Sequence, residues 1–171
     1  LVYGNLWIYN QRLDKKKIFS KQKLFRGKVF KKLLSNYNIG IISTVLRKSI
    51  LDLQNLKFDK RYNHIGDFDL FVKLSKICEF DFVQKPVATY RIHGTNLSLK
   101  NPNKELSELK IWLKKNNKKL DNEQKKQVIK KIHNKEFIRL KLNDNFIKTL
   151  NYFMRTKDLW EDFKNYFLLI F

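Results

Sequence analysis

The sequence predicts an α/β layer fold, of α+β character in the stretch visible here, followed by a helical C-terminal region. Two patterns carry this. Residues 1–98 alternate short β-branched or aromatic runs with helical stretches, whereas beyond Ser98 apolar residues recur at helical spacing between polar breaks. Length and composition allow it, since 171 residues that are 43% hydrophobic and 14% aromatic can bury a core in one domain with an appendage. The expected division is residues 1–100 and 101–171.

The first run, "LVYGNLWIYN", reads as a strand. It opens the chain with no initiator Met and no preceding loop, so the sequence reads as the middle of a larger protein with further residues expected upstream of Leu1. In "KVFKKLL", residues 28–34, Phe30, Leu33 and Leu34 share one side of a short helix. "IGIISTVLRKS" reads as a second strand. Over residues 67–78 the apolar Leu70, Phe71, Leu74, Ile77 and Cys78 lie on one face of a helix. "FDFVQKPVATYRIH" then reads as a strand that runs into the polar turn His93-Gly94-Thr95-Asn96.

Beyond Ser98, Asn101-Pro102 supplies an N-cap and a proline at the first helical position, after which Leu106, Leu109 and Leu113 share a face. Asp121 with Gln124, and Asp158 with Glu161, mark two further helix starts. Between them Ile138, Leu142, Phe146, Leu150 and Phe153 form a stripe, and Leu159, Phe163, Tyr166, Phe167 and Ile170 repeat it. Three helical elements are expected in this region.

Charge and cysteine content bound the setting. The 37 Lys and Arg against 16 Asp and Glu give a net charge of +21, which raises nucleic acid or an anionic membrane as partners. Most of the basic residues are Lys scattered among Asn, Ile and Phe, the bias that an AT-rich coding sequence imposes without selection for binding. A nucleic-acid-binding helical module, or a noncatalytic interaction module, stays as the alternative class. Aromatic residues in core-like stripes weigh against nucleic acid, which calls for exposed aromatics interleaved with base-facing cations. The single Cys78 excludes an internal disulfide and fits a reducing cytoplasm. The apolar run "YFLLIF" is far short of the ~20 residues of a membrane span, which leaves a cytoplasmic chain, at most peripheral at the inner face of the membrane.

Helices that pair apolar stripes with many Lys suit such attachment, and each Lys near an anionic surface contributes about 1 kcal/mol at low salt. Residues 103–171 are therefore expected to co-sediment with anionic vesicles and to be released by salt. Equal recovery with neutral and anionic vesicles at low salt would leave these helices as a packed cap on the first domain.

The residues richest in chemistry are "GDFD", residues 66–69, and "YRIH", residues 90–93. Asp67 and Asp69 open a helix, where the dipole and free N–H groups favour a carboxylate and lower its pKa. Each is expected to be an ionised acceptor at a loop–helix junction, either a cap or a general base. Arg91 and His93 alternate on a strand, so they share a face, and guanidinium beside imidazole suits a phosphate or a phosphate-bound metal ion.

Taken in order, "IGDFDLFVKLSK" and "YRIHGTNLS" resemble the second half of the family 2 glycosyltransferases, which have the nucleotide-diphosphosugar transferase (GT-A) fold. The family commonly shows Glu-Asp-x-Asp-Leu, a helix with Arg or Lys, then Tyr-Arg-x-His-x-x-Asn-x-Ser. "VYGNLWIYN" is similar to the strand after the family's metal-binding Asp-x-Asp loop, and "STVLRKSIL" with "LKFDKRYNH" is similar to the stretch that leads to the acidic motif.

The resemblance covers roughly residues 2–98 and implies the acceptor-side half of an inverting glycosyltransferase, with a helical extension. It implies Asp67 as general base on the acceptor hydroxyl and Asp69 as the supporting acidic residue. It places Arg91 and His93 near the donor diphosphate, with His93 also a candidate metal ligand. Gly66 stands where the family often has Glu, and Lys73 where it often has Arg. The implied partners are a nucleotide-diphosphosugar donor and a glycan or lipid-linked acceptor in surface polysaccharide synthesis, with divalent Mg or Mn as cofactor. The nucleotide-binding half, with its own Asp-x-Asp, is expected before Leu1.

Overall fold

The computed structural model describes residues 1–142 together with Lys148, Asn151, Tyr152, Arg155 and Thr156. It is built of strands and helices in two compact units, Leu1–Lys114 and Lys115–Phe171.

The first unit is organised around β1, Val2–Asn10. On one edge β1 pairs antiparallel with β2, Lys15–Ile18, through Trp7 to Asn10, and with β3, Thr44–Val45, through Val2 and Tyr3. On the other edge it pairs in parallel, along its full length, with β4, Asp81–Ile92. A parallel pair needs a crossover connection. Here the crossover carries α1 (Phe30–Ser35), α2 (Lys48–Leu53) and α3 (Gly66–Leu74). Register slips between Gly4 and Leu6, where Asn5 sits opposite Pro86, a residue that has no N–H for the ladder. At this irregularity Val87 comes so close that a Cβ on Gly4 would lie 2.2 Å from its Cγ2, so any larger residue would force Val87 to shift.

Side chains of β1 fix the connection that follows β2. Asn5, fully buried, receives the Ser20 N–H at 3.1 Å and donates to the Ser20 carbonyl at 2.8 Å. Two residues earlier, the Tyr3 hydroxyl donates to the Phe25 carbonyl at 3.0 Å and accepts the Phe25 N–H at 2.8 Å. The loop of residues 20–25 is thereby held to the central strand without a ladder of its own.

Several expected elements take a different form. "IGIISTVLRKS" becomes a 3-10 turn at Ile41–Ser43, the two-residue β3 and then α2. The reason is local: Ser43 Oγ bonds the carbonyls of Gly40 and Gly4, which closes the turn and leaves Ile41, Ile42 and Val45 exposed. The helix expected over residues 67–78 ends at Leu74. There Ser75 Oγ takes the Val72 carbonyl, and the N–H groups of Lys76 and Ile77 bond three residues back, so the last turn tightens. Ile77 is consequently 48% exposed, while Phe68, Leu70, Phe71, Val72 and Leu74 are all buried. The solvent-exposed β2, "KKKI", carries no apolar alternation that could have announced it.

After β4 come the single turn α4, Leu97–Lys100, and α5, Pro102–Asn116, which starts at the expected proline. The face of α5 buries Leu106, Leu109 and Trp112, with Leu113 half-buried beside them.

In the second unit α6, Asn122–Leu142, opens on a reciprocal capping box: Asp121 Oδ1 accepts the Gln124 N–H at 2.8 Å and Gln124 Oε1 accepts the Asp121 N–H at 3.3 Å. Its buried apolar residues are Val128 and Ile132, whereas Ile138, expected in the stripe, is 52% exposed. Leu142 ends this helix. The other stripe residues Phe146, Leu150 and Phe153, the Asp158/Glu161 start and the last apolar repeat lie outside the described residues. No described helix is long and apolar enough to cross a membrane.

Candidate functional site

The N-terminus of α3 is held from two directions. Its N-cap residue, Ile65, makes no side-chain cap, and the segment that leads into the helix is held by Glu108 on α5. Glu108, 1% exposed, accepts the backbone N–H groups of Asn63 (3.1 Å), His64 (2.9 Å) and Ile65 (3.2 Å). A carboxylate at a helix N-terminus is favoured by the dipole as well as by the hydrogen bonds.

Asp69, 2% exposed, has both oxygens occupied. Oδ1 accepts the Trp112 indole N–H at 2.9 Å, and Oδ2 pairs with Lys73 Nζ one turn along at 2.5 Å. Trp112 also packs edge-on to Phe68, and Phe68 edge-on to Tyr37, with ring centroids 5.1 Å and 5.4 Å apart. Asp69 thus ties α3 to α5, with one partner on each oxygen. Among the described residues the buried Tyr62 hydroxyl finds no hydrogen-bond partner; burial, then the negative charges of Asp69 and Asp59, push its pKa up.

Asp67 differs. It is half-buried, and its Oδ1 accepts the neighbouring Phe68 N–H at 2.8 Å. The first-turn position predicts a lowered pKa; the structure reverses the sign. Burial raises the carboxyl above its ordinary range, against the lowering by the Tyr37 hydroxyl and by the Phe68 and Asp67 N–H groups, and Glu105 nearby raises it further. Loss of water outweighs the helix end. Tyr37 is pushed up in turn, first by its own burial and then by the charge of Asp67.

This sign has a measurable consequence. A carboxyl raised by burial favours folding in its protonated form, so its contribution is complete below the unfolded-state pKa and is lost as pH rises through the folded-state value. Asp67→Asn, which carries no charge to desolvate, is expected to melt at higher temperature than wild type at neutral pH, with the gap narrowing as pH falls into the ordinary carboxylate range. Thermal melts across that range check it; a gap independent of pH would remove ionisation as the cause.

Arg91 and His93 form a second group. Arg91 is exposed at the C-terminal end of β4, in register with Tyr9 of β1. The Tyr9 hydroxyl donates to Asp14 at 3.0 Å, which raises its pKa, while the charge of Arg91 lowers it. His93 lies one residue beyond the strand, so strand alternation does not place it beside Arg91. Its N–H donates to Asn96 Oδ1 at 2.5 Å, its Nδ1 lies 2.8 Å from Thr95 Oγ1, and Asn96 Nδ2 reaches back to the Arg91 carbonyl at 3.2 Å. The turn is stitched by its own side chains. Among the described residues no hydrogen bond or ion pair joins Asp67 or Asp69 to Arg91 or His93.

Nor do three His, Cys, Asp or Glu side chains come together among the described residues to hold a metal ion. Thr95 engages His93 Nδ1 and so leaves Nε2 as the nitrogen through which His93 could ligate an ion. Glu108, Trp112 and Tyr37 are the contributors that sequence reasoning missed. Glu108 carried no signal in the sequence, since helical spacing places it away from the face of Leu106, Leu109 and Leu113.

No family model, curated protein or solved structure matches the chain.

Proposed function

We propose that this chain is the acceptor-side part of an inverting family 2 glycosyltransferase with the GT-A fold, in which Asp67 is the general base. Two things support the reading: the ordered resemblance of "IGDFDLFVKLSK" and "YRIHGTNLS" to that family, and the environment of Asp67. The single geometric observation that carries it is a half-buried carboxyl beside Tyr37, raised in pKa by burial. A base works best when its pKa lies nearer the working pH, and burial moves Asp67 in that direction. The neighbouring Asp69 binds Trp112 and Lys73. Of the two aspartates Asp67 is the one assigned to accept a proton.

In the reaction the acceptor hydroxyl gives its proton to Asp67 as its oxygen bonds the anomeric carbon of the donor sugar. The bond from that carbon to the nucleotide diphosphate breaks on the opposite face, and the diphosphate leaves with the bonding pair. Exposed Arg91 offers a guanidinium suited to a diphosphate. A divalent Mg or Mn ion, where the intact enzyme uses one, would neutralise diphosphate charge; the described residues do not assemble its ligands, so no step here depends on it. The setting proposed is surface polysaccharide or lipid-linked glycan assembly at the inner face of the membrane.

The test is sugar transfer from UDP- and GDP-sugars to lipid-linked or glycan acceptors by a polypeptide that joins this chain to a nucleotide-binding half. Failure of transfer with every donor and acceptor would remove the reading. The 171-residue chain alone is expected to give no micromolar binding of these donors in calorimetric titration. Tight binding there would place the nucleotide site within these residues.

A further inference from the structure

The stretch from Ile41 to Phe58, which carries β3 and α2, concentrates exposed apolar side chains: Ile41, Ile42, Val45, Leu53 and Phe58. Helix α2 buries none of its residues. Leu53, in its last turn, is 82% exposed, and Phe58 a few residues on is 52% exposed.

This exposure is built into the backbone. At the end of α2 the Leu56 N–H bonds the Leu51 carbonyl at 2.8 Å, the Asn55 N–H bonds the Asp52 carbonyl at 3.1 Å, and Asn55 takes a left-handed φ of 46°. Those two bonds make a Schellman cap, which closes the helix with Leu51 and Leu56 half-buried and leaves Leu53 on the outside of the turn. Leu53 therefore sits on a capped end, not a frayed one. Phe58 is placed by α3, since a Cβ on Gly66 would lie 3.7 Å from its Cδ1.

The same segment is cationic. Arg47, Lys48, Lys57 and Lys60 are all exposed. Of its two carboxylates, Asp59 is engaged by Arg61, through Nε at 2.8 Å and a second nitrogen at 2.5 Å, which leaves Asp52 against four cations.

We propose that residues 47–60 are a membrane-docking surface, with Leu53 and Phe58 entering the acyl boundary of an anionic bilayer and the four cations lying in its headgroup layer. Apolar side chains beside long cationic ones suit that boundary, because a lysine stem follows apolar surface while its ammonium stays with the phosphates. A protein partner fits less well, since protein interfaces are depleted in Lys. Nucleic acid would meet the cations and leave Leu53 in water. Sequence patterning gives membrane attachment to residues 103–171, and this surface lies outside them. It stands whether or not Asp67 is a general base.

The experiment places an environment-sensitive fluorophore at Gln54→Cys, beside Leu53, in the whole 171-residue chain, with Cys78→Ser removing the native thiol. A second preparation carries the fluorophore at Lys126→Cys on α6 and reports on the helical region. Each is titrated with vesicles of phosphatidylcholine alone and of phosphatidylcholine mixed with phosphatidylglycerol. The expected result is a saturable blue shift at position 54 with the anionic vesicles only, reversed by salt. Leu53→Ser should weaken this binding about tenfold, as withdrawal of one buried leucine would. Lys57→Ser and Lys60→Ser should each weaken it about fivefold at low salt. All three replace exposed side chains, so circular dichroism should show the wild-type fold, and the lysine variants keep the test valid if Leu53→Ser misfolds.

A probe at position 54 that stays in water while the chain co-sediments, with the shift at position 126 instead, gives attachment to the helices and overturns the proposal. Equal response to neutral and anionic vesicles overturns it too, as does undiminished binding by a folded Leu53→Ser. A blue shift that grows with protein concentration in the absence of lipid would show a second copy covering Leu53, and removes the bilayer as the occupant.

Discussion

Asp67→Asn is expected to lower sugar transfer by about 10²–10⁴, the usual cost of losing a positioned general base, while donor affinity stays near wild type. The substitution keeps side-chain size and an oxygen that can accept the Phe68 N–H, so α3 should start where it does now. What it removes is the ability to take the acceptor's proton. Single-turnover transfer at saturating donor isolates that step from binding and product release. Arg91→Ala should behave in the opposite sense, weakening donor affinity, because the guanidinium is assigned to the diphosphate and shares no hydrogen bond with Asp67. Wild-type transfer by Asp67→Asn would return "GDFD" to a purely structural role at the start of α3. The rise of transfer with pH should also track the raised carboxyl of Asp67 and vanish in Asp67→Asn.

What the sequence could and could not convey follows from the range of the forces involved. Patterns written by local geometry were legible: the proline start of α5, the Asp121–Gln124 box, the short helix that buries Leu33 and Leu34, and the strands at Val2–Asn10 and Asp81–Ile92. Readings failed where a side chain competed with the backbone, as Ser43 and Ser75 do, because an apolar run reads the same whether or not a hydroxyl closes a turn within it. They also failed where burial decided the chemistry. Helix position alone gives Asp67 and Asp69 the same lowered pKa, and nothing in "GDFD" says that one will meet Trp112 and Lys73 while the other faces Tyr37. The candidate residues were findable as types. Their division into a structural carboxylate and a candidate base depends on α5, which is distant in sequence.

That dependence gives the largest expected effect on stability. Glu108→Ala should destabilise the first unit by about 3 kcal/mol or more, since three backbone donors at the entrance to α3 would lose a charged acceptor. These donors lie 43 to 45 residues before Glu108 in the chain, so no local rearrangement of α5 can replace the carboxylate. Glu108→Gln keeps the volume and one oxygen, yet it turns an NH₂ donor toward N–H donors and gives up the charge, so it should fall between alanine and wild type. Hydrogen exchange reads this site directly. The amides of Asn63, His64 and Ile65 should lose protection in both variants, and those of Asp69 to Leu74 should follow if α3 is anchored through its N-terminus. Urea unfolding of the same variants gives the size of the loss. A Glu108→Ala protein within about 0.5 kcal/mol of wild type, the range of ordinary surface substitutions, with residues 63–65 still protected, would show that water supplies what Glu108 supplies here. The entrance to α3 would then be set by the packing of Phe68 and Trp112, and the placement of Asp67 would owe nothing to the carboxylate on α5.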